Sequence, residues 1–322
     1  MLLKIFLKFK AILLKVYGLP KKINELNEKV KKLENKLYLP EPSINVLGIG
    51  LDLGKADNSK IFDSDICRFE DFAHPEYKKI CENIFKMPPY YQRKQWEWVY
   101  IYYHLRRLGF LKKGIKGLGF GVGKERLPSI LTSLGCQILA TDAPSEFSQE
   151  WKSTSQHSEN LSSLLYQDIV DPMLFESNCR FTPLNMNNYA SIPEGFDFHW
   201  SSCVIEHLGG ISSAIEFVLN SSLKLNSGGI GIHTTEFNLT SNSSTLDQPG
   251  TCILRKKDIE NLSKELESKG LSMKKVIYDP GTHFYNYQID TSSPPGPLHL
   301  RVLIENNVCT SMGLIIMKNN SN

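Results

Sequence analysis

The stretch Gly117–Asp142, GLGFGVGKERLPSILTSLGCQILATD, decides the fold. Ile115–Leu118 is short and apolar enough to form a buried strand. Gly119, Gly121 and Gly123 alternate through a tight turn. Lys124–Leu134 then reads as a helix, and Gln137–Thr141 as a second strand closed by Asp142. Strand, glycine turn, helix, strand and acid form the first half of a nucleotide-binding α/β unit. Each part has a physical reason. Glycine lets the backbone approach a ligand with no Cβ in the way, and a helix start presents unpaired N–H groups. A carboxylate at the second strand end can accept two ribose hydroxyls. In the dinucleotide fingerprint the third glycine stands where this chain has Lys124; here it comes one place early, at Gly123. Gly48–Gly54 (GIGLDLG) also has glycines, but no clear helix follows it and no acid-terminated strand.

Downstream, the alternation of strands and helices continues. Phe181–Met186 reads as a third strand, and Phe196–Cys203 (FDFHWSSC) as a fourth, introduced by Pro193-Glu194-Gly195. Val204-Ile205-Glu206-His207-Leu208 follows it at once. Ile211–Leu225 is a helix, Asn226-Ser227-Gly228-Gly229 a turn, and Ile230–Thr235 a fifth strand that runs into His233-Thr234-Thr235-Glu236-Phe237-Asn238. Lys257–Lys269 is a further helix, and residues 272–278 and 301–317 supply the last strands. In open α/β sheets ligands bind at the carboxyl ends of the strands, where these polar runs fall.

G-x-G-x-G, an acid closing the second strand, F-D followed by E-H-L, and a Gly-Gly turn, in that order, resemble the class I S-adenosylmethionine-dependent methyltransferases over roughly residues 90–317. The resemblance implies a Rossmann-like sheet of seven strands, mostly parallel with the last antiparallel, and S-adenosylmethionine as cofactor. It places Gly119, Phe120, Gly121 and Gly123 around the donor, Asp142 on its ribose, Ala143 and Met186 across the adenine, and Asn185, Asn187 and Ser202 on the remaining rim. Asn185 stands where the family usually has an acid for the adenine amine; an amide oxygen can accept the same bond. Gly117 stands where the family usually has the acid that contacts the methionine amino group. These two departures keep a binding-only scaffold open as the alternative to an enzyme. The wording SSCVIEHLGG and HTTEFN is similar to bacterial methyltransferases encoded with surface-glycan assembly genes. The acceptor so implied is a sugar oxygen; a soluble small metabolite is the other choice.

A sulfonium methyl is already activated, so alignment and desolvation do most of the work. A sugar hydroxyl also gains from a general base. His207, His233 and Glu236 are the candidates, with His233 preferred because it follows the fifth strand. The sequence offers no acidic pair for a metal, and no metal site is expected. Cys203 follows a buried strand and is given no nucleophilic role.

The lead-in, residues 61–110, reads as helical and covers the cofactor site. Glu76–Phe85 and Tyr91–Leu108 are its helices; Trp96, Val99, Tyr102 and Tyr103 form a buried stripe. Arg93 and Trp96 are candidates to face the pocket as substrate contacts, with the core as the alternative for the aromatics. The segment 145–180, rich in Ser, Gln, Glu and Asn with a short helix at Asn160–Tyr166, is read as a substrate lid or as disorder.

Charge is uneven. Residues 1–36 carry ten lysines against Glu25, Glu28 and Glu34, so within a total of +3 the remainder carries −4. A mildly acidic body argues against nucleic acid. Seven cysteines without C-x-x-C or metal-ligand spacing suit a reducing, cytoplasmic setting. Residues 1–17 (MLLKIFLKFKAILLKVY) are interrupted by lysines and are far from the ~20 apolar residues a span needs. They read as a basic helix on a membrane surface, at its inner face, or against a partner subunit. In 21–39, Ile23, Leu26, Val30, Leu33 and Leu37 form a short heptad seam for self-association or for packing on the chain's own domain. The expected divisions are therefore 1–39, a linker 40–60 after Pro40 and Pro42, the lead-in 61–110, the catalytic domain 111–317 and a tail 318–322.

Overall fold

The computed structural model describes residues 28–29, 55–147, 156–292 and 295–320. The chain divides into two compact units, 1–42 and 43–322. In the first, only Glu28 and Lys29 are described, helical and exposed. The amphipathic segment 1–17, nearly all of the 21–39 seam and most of the 40–60 linker lie outside the described residues. No helix among the described residues is long and apolar enough to cross a membrane.

The second unit is built on one sheet. Its strands are β1 (Lys116–Phe120), β2 (Gln137–Asp142), β3 (Cys179–Pro183), β4 (Phe196–Ser202), β5 (Leu225–Asn238), β6 (Leu271–Met273), β7 (Ile289–Asp290), β8 (Arg301–Ile304) and β9 (Asn307–Lys318). They lie in the order β7-β8-β9-β5-β4-β1-β2-β3, with β6 on the far end of β9. β3, β2, β1, β4 and β5 are mutually parallel, and β9 runs antiparallel to β5. This is the expected Rossmann-like sheet. The final stretch 301–317 is a hairpin, β8 turning into β9, so two short strands extend the edge beyond the expected seven.

Helices cover both faces: α1 (Phe69–Ala73), α2 (Pro75–Ile80), α3 (Arg93–Arg107), α4 (Leu127–Ser133), α5 (Pro172–Asn178), α6 (Ile211–Leu223) and α7 (Lys256–Ser268). α4 starts three residues later than expected because Pro128 fits only its first turn. β3 begins and ends earlier than expected: Pro183 is its last residue, and Asn185 opens a turn that its own side chain closes on the Asn187 N–H at 3.0 Å. β5 absorbs the Asn226–Gly229 turn through an irregularity opposite Phe196–Phe198. In the 145–180 insertion, Leu161–Leu164 forms a single 3₁₀ turn, and α5 was not foreseen.

The lead-in is part of the core. Ile66 bridges Met312 of β9, and Gly313 N–H donates to the Asp65 carbonyl at 2.8 Å. Trp96 is fully buried, edge-on to Phe62 and stacked on Tyr100, and its Nε1–H donates to Asp71 Oδ2 at 2.8 Å. Burial pushes the Asp71 carboxyl up to about 7 despite the nearby Arg68. The phase of α3 thus turns Trp96 away from the strand ends, correcting its expected role as a substrate contact.

Candidate functional site

A cavity of about 540 Å³ opens at the carboxyl ends of β1, β2, β3 and β4. Its floor is the glycine turn. β1 runs on to Phe120, so Gly119 and Phe120 lie inside the sheet and do not line the cavity. A Cβ on Gly119 would sit 2.4 Å from Trp200, and Phe120 packs edge-on to Phe217 of α6. The turn proper is Gly121–Gly123, with φ of +56° and +52° at its two glycines, the left-handed region where a side chain costs roughly 1–2 kcal/mol. A Cβ at Gly121 would also meet Val204 at 2.6 Å, and one at Gly123 the Gln156 carbonyl at 2.7 Å.

Asp142, 8 % exposed, stands on the wall at the end of β2. Its Oδ2 accepts the N–H groups of Gly123 (3.1 Å) and Ser158 (2.9 Å), and Oδ1 accepts that of Ala143 (2.8 Å). A carboxylate offers about four lone-pair sites. Oδ2 is therefore filled and Oδ1 keeps capacity. His157 Nδ1 lies 3.4 Å from Oδ1, and among the described residues this buried nitrogen makes no hydrogen bond. His157 also lines the cavity. On this wall one open oxygen of Asp142 and the His157 imidazole stand side by side. That imidazole comes from the insertion, which folds back so that Gln156–Ser158 pack against the turn.

Ala143, Leu184, Asn185, Met186 and Asn187 form a second wall, so this group of expected adenine contacts is brought together. Asn185 Oδ1 already accepts from Asn187 N–H, and Asn187 Nδ2–H donates to the Leu208 carbonyl at 3.0 Å. The third wall is Ser202, Cys203, Val204 and His207 after β4, and the fourth is Lys94 and Trp98 of α3. His207 Nδ1 lies 2.9 Å from the Gly250 carbonyl. A carbonyl only accepts, so in this contact Nδ1 carries the proton.

Behind this wall lies a buried polar network. Arg93 Nη1 pairs with Glu236 Oε1 at 2.5 Å and stands 3.8 Å from Glu97. Glu97 accepts from Ser202 Oγ (3.1 Å), Thr234 Oγ1 (3.3 Å) and Lys94 Nζ (3.3 Å). Cys203 sits at φ +52°, its Sγ 2.6 Å from Glu206 Oε1 and 3.7 Å from Glu236 Oε1. Burial raises the Glu206 carboxyl. Arg93 and Glu236 belong to this network and do not line the cavity.

His233 is not at the site. It is fully buried in β5, opposite Ser201 and Leu314, with Nδ1 2.7 Å from Ser201 Oγ and its ring 4.9 Å from His199 and 5.9 Å from Phe217. Burial pushes its pKa down to about 3. It is a neutral core histidine, which removes it as the general base.

Lys94, Trp98, Glu125 and His157 line the cavity without having been singled out as contacts in the sequence. Lys94 and Trp98 are four residues apart, one helical face, and that spacing was the available signal. Glu125 and His157 lie in irregular backbone and carried none.

No protein-family model and no curated protein matches the chain. Among solved structures, it is similar to the magnesium protoporphyrin IX methyltransferase of Synechocystis PCC 6803 with bound SAH, at 12 % identity over 70 % of this chain and 83 % of that one, TM-score 0.43. It is similar to TehB from Haemophilus influenzae at 12 % identity, over 76 % of this chain and 67 % of that one, TM-score 0.41. It is also similar to a methyltransferase from Pyrococcus furiosus at 15 % identity, over 76 % and 95 %, TM-score 0.37. Likeness at this level decides neither substrate nor chemistry, which rest on the site itself.

Proposed function

We propose that the chain is an S-adenosylmethionine-dependent methyltransferase acting on an oxygen of a sugar in a surface glycan or its lipid-linked precursor. The observation that carries the donor assignment is the 540 Å³ cavity set on the Gly121–Gly123 turn with the Asp142 carboxylate on its wall. The residues present suit an adenosyl group. Asp142 Oδ1 has an open lone pair, the buried His157 Nδ1 lies 3.4 Å from it, and Met186 and Ala143 offer apolar surface for a base.

When bound, the donor supplies a sulfonium methyl that needs no further activation. The chain's part is to orient the two substrates, keep water out and take one proton. Asp142 and His157 fix the ribose. Asn185 presents its amide oxygen to the adenine amine. His207, on the wall with Nδ1–H held by Gly250, accepts the acceptor hydroxyl's proton at Nε2 as the general base. Glu236, ion-paired with Arg93 one layer behind, steadies the rim through Cys203.

The glycan acceptor draws its support from the sequence wording around SSCVIEHLGG and HTTEFN. Calorimetry with S-adenosylhomocysteine tests the donor: absence of binding at millimolar ligand overturns the methyltransferase reading and favours a scaffold. Mass spectrometry of the envelope glycan with and without the gene tests the acceptor. An unchanged methylation pattern leaves a soluble metabolite as the substrate class.

A further inference from the structure

Gly117 stands where the resembled family has an acid, and it lies within β1 among core side chains, where no side chain fits. A Cβ on Gly117 would stand 2.2 Å from the Phe198 ring. Two charged residues reach the cavity from other elements instead. Glu125, between the glycine turn and α4, is 4 % exposed and lines the cavity. One of its oxygens accepts the Trp200 Nε1–H at 2.6 Å, and among the described residues no cation lies within ion-pair distance of it. Lys94, from α3, lines the same cavity with its ammonium held by the Ser202 carbonyl at 2.9 Å and Glu97 Oε2 at 3.3 Å. An ammonium has three donors, so one remains. The Trp98 ring, one turn further along α3, also lines the cavity, and its buried Nε1–H has no partner among the described residues.

A buried carboxyl with no cation within ion-pair distance among the described residues, and an ammonium with a spare donor, in one cavity, match the two ends of a zwitterionic α-amino acid. Resting on the methyl-donor reading, we infer that Glu125 takes the ammonium and Lys94 the carboxylate of the donor's methionine end, so that Glu125 replaces the acid displaced from position 117. This assigns the chain a relocated amino-acid subsite that enters from the loop after the glycine turn rather than from β1.

The state of Glu125 agrees with this. Burial pushes its carboxyl up to about 8, against the lowering influence of the Trp200 bond and of Lys94, while Glu97 and Asp142 add to the rise. At pH 7 it is mostly protonated. A ligand ammonium arriving beside it favours the carboxylate, so binding expels a proton into solution.

The test compares S-adenosylhomocysteine with 5′-methylthioadenosine, which has the same nucleoside but no amino-acid end, by calorimetry in buffers of different ionisation enthalpy. For the wild-type chain, S-adenosylhomocysteine binds more tightly and releases close to one proton at pH 7; methylthioadenosine releases none. Glu125→Gln, which keeps an acceptor for Trp200 Nε1–H, and Lys94→Met are each expected to weaken S-adenosylhomocysteine about 10- to 100-fold, as for a lost charge-assisted bond. Methylthioadenosine binding stays as it was, and Glu125→Gln also abolishes the proton release. Because methylthioadenosine reports the fold of each variant, a damaged protein is told apart from a lost subsite. An unchanged ratio of the two affinities in both variants overturns the subsite while the methyltransferase reading stands. If the wild-type chain binds neither ligand, it is that reading which fails.

Discussion

In the sequence His207 and His233 look alike as candidates, each near the carboxyl end of a parallel strand. The structure separates them by what lies across from each. His207 sits beyond the end of β4, on the cavity wall, with Nδ1–H on the Gly250 carbonyl. His233 is still inside β5, flanked by β4 and β9. Strand parity does the rest. Thr234 and Glu236 point toward α3, where Glu97 and Arg93 meet them, whereas His233 points toward α6, beside Phe217 and His199. Closeness to a strand end in sequence is therefore a poor guide. Whether the strand has stopped, and which face the side chain takes, decides between wall and core.

The sharpest way to break this contrast is turnover. His207→Ala is expected to lower kcat by about 10²- to 10⁴-fold, the usual contribution of a general base. His233→Gln, which retains a partner for Ser201, should leave kcat within a few-fold. Measured kcat values in the opposite order would restore His233 to the site and remove His207.

Stability should show the reverse pattern. His233 stays neutral when folded, its pKa held near 3, while the unfolded chain protonates it near 6.5. The sign follows: a depressed folded pKa gives stability that is complete above pH 6.5 and lost as the pH falls toward 3. His199 and His104 are lowered by burial as well and add to the same limb. Urea unfolding of the wild-type chain should therefore weaken between pH 7 and pH 4. His233→Gln should remove on the order of 3 kcal/mol of that fall. If the two acid limbs of wild type and His233→Gln superimpose, the core assignment is wrong.

Acids on the wall and in the core differ in the same way. Asp142 has an oxygen open to the cavity, whereas Asp71 is enclosed by Trp96 Nε1–H, the Phe62 N–H and Arg68. Asp142→Asn is expected to raise the dissociation constant of S-adenosylhomocysteine about 10- to 100-fold, as for a charged acceptor lost. Asp71→Asn should leave that constant unchanged. Calorimetry on both variants decides it; equal affinities for wild type and Asp142→Asn would remove the ribose contact.

Much of the sheet was legible because its signals are local. A glycine turn after an apolar strand, an acid closing the next strand and a Gly-Gly turn before the fifth each have one backbone reason, and their order fixes a parallel sheet. Asp142, Ala143, the Asn185–Asn187 run and His207 followed from those positions. What stayed hidden depends on tertiary choices. Gly119 and Phe120 look like turn residues, yet β1 continues through them because Trp200 fills the space a side chain would need. His157 reaches Asp142 only because the 36-residue connection between β2 and β3 brings it back to the turn, and nothing in its polar composition marks the residue that returns. Glu125 is one acid among several near a turn until its burial against Trp200 is seen.

The phase of α3 is the clearest case. RKQWEWVYIYYHLRR is aromatic nearly all round, so periodicity cannot say which tryptophan faces the core. The sequence offered Arg93 and Trp96 as candidates for the pocket face, with the core as the alternative; the cavity takes Lys94 and Trp98, a rotation of the helix by one to two positions. Two conservative variants separate these phases. Trp96→Phe keeps a ring against Phe62 and Tyr100 but removes the N–H on Asp71 Oδ2, leaving a buried acid short of a donor, and should cost about 1–3 kcal/mol in urea unfolding with S-adenosylhomocysteine affinity unchanged. Trp98→Phe removes an N–H that has no protein partner to lose, so stability should hold while the ligand binds a few-fold more weakly. Should Trp96→Phe weaken binding while Trp98→Phe weakens the fold, the helix is turned the other way, and Lys94 leaves the cavity with it.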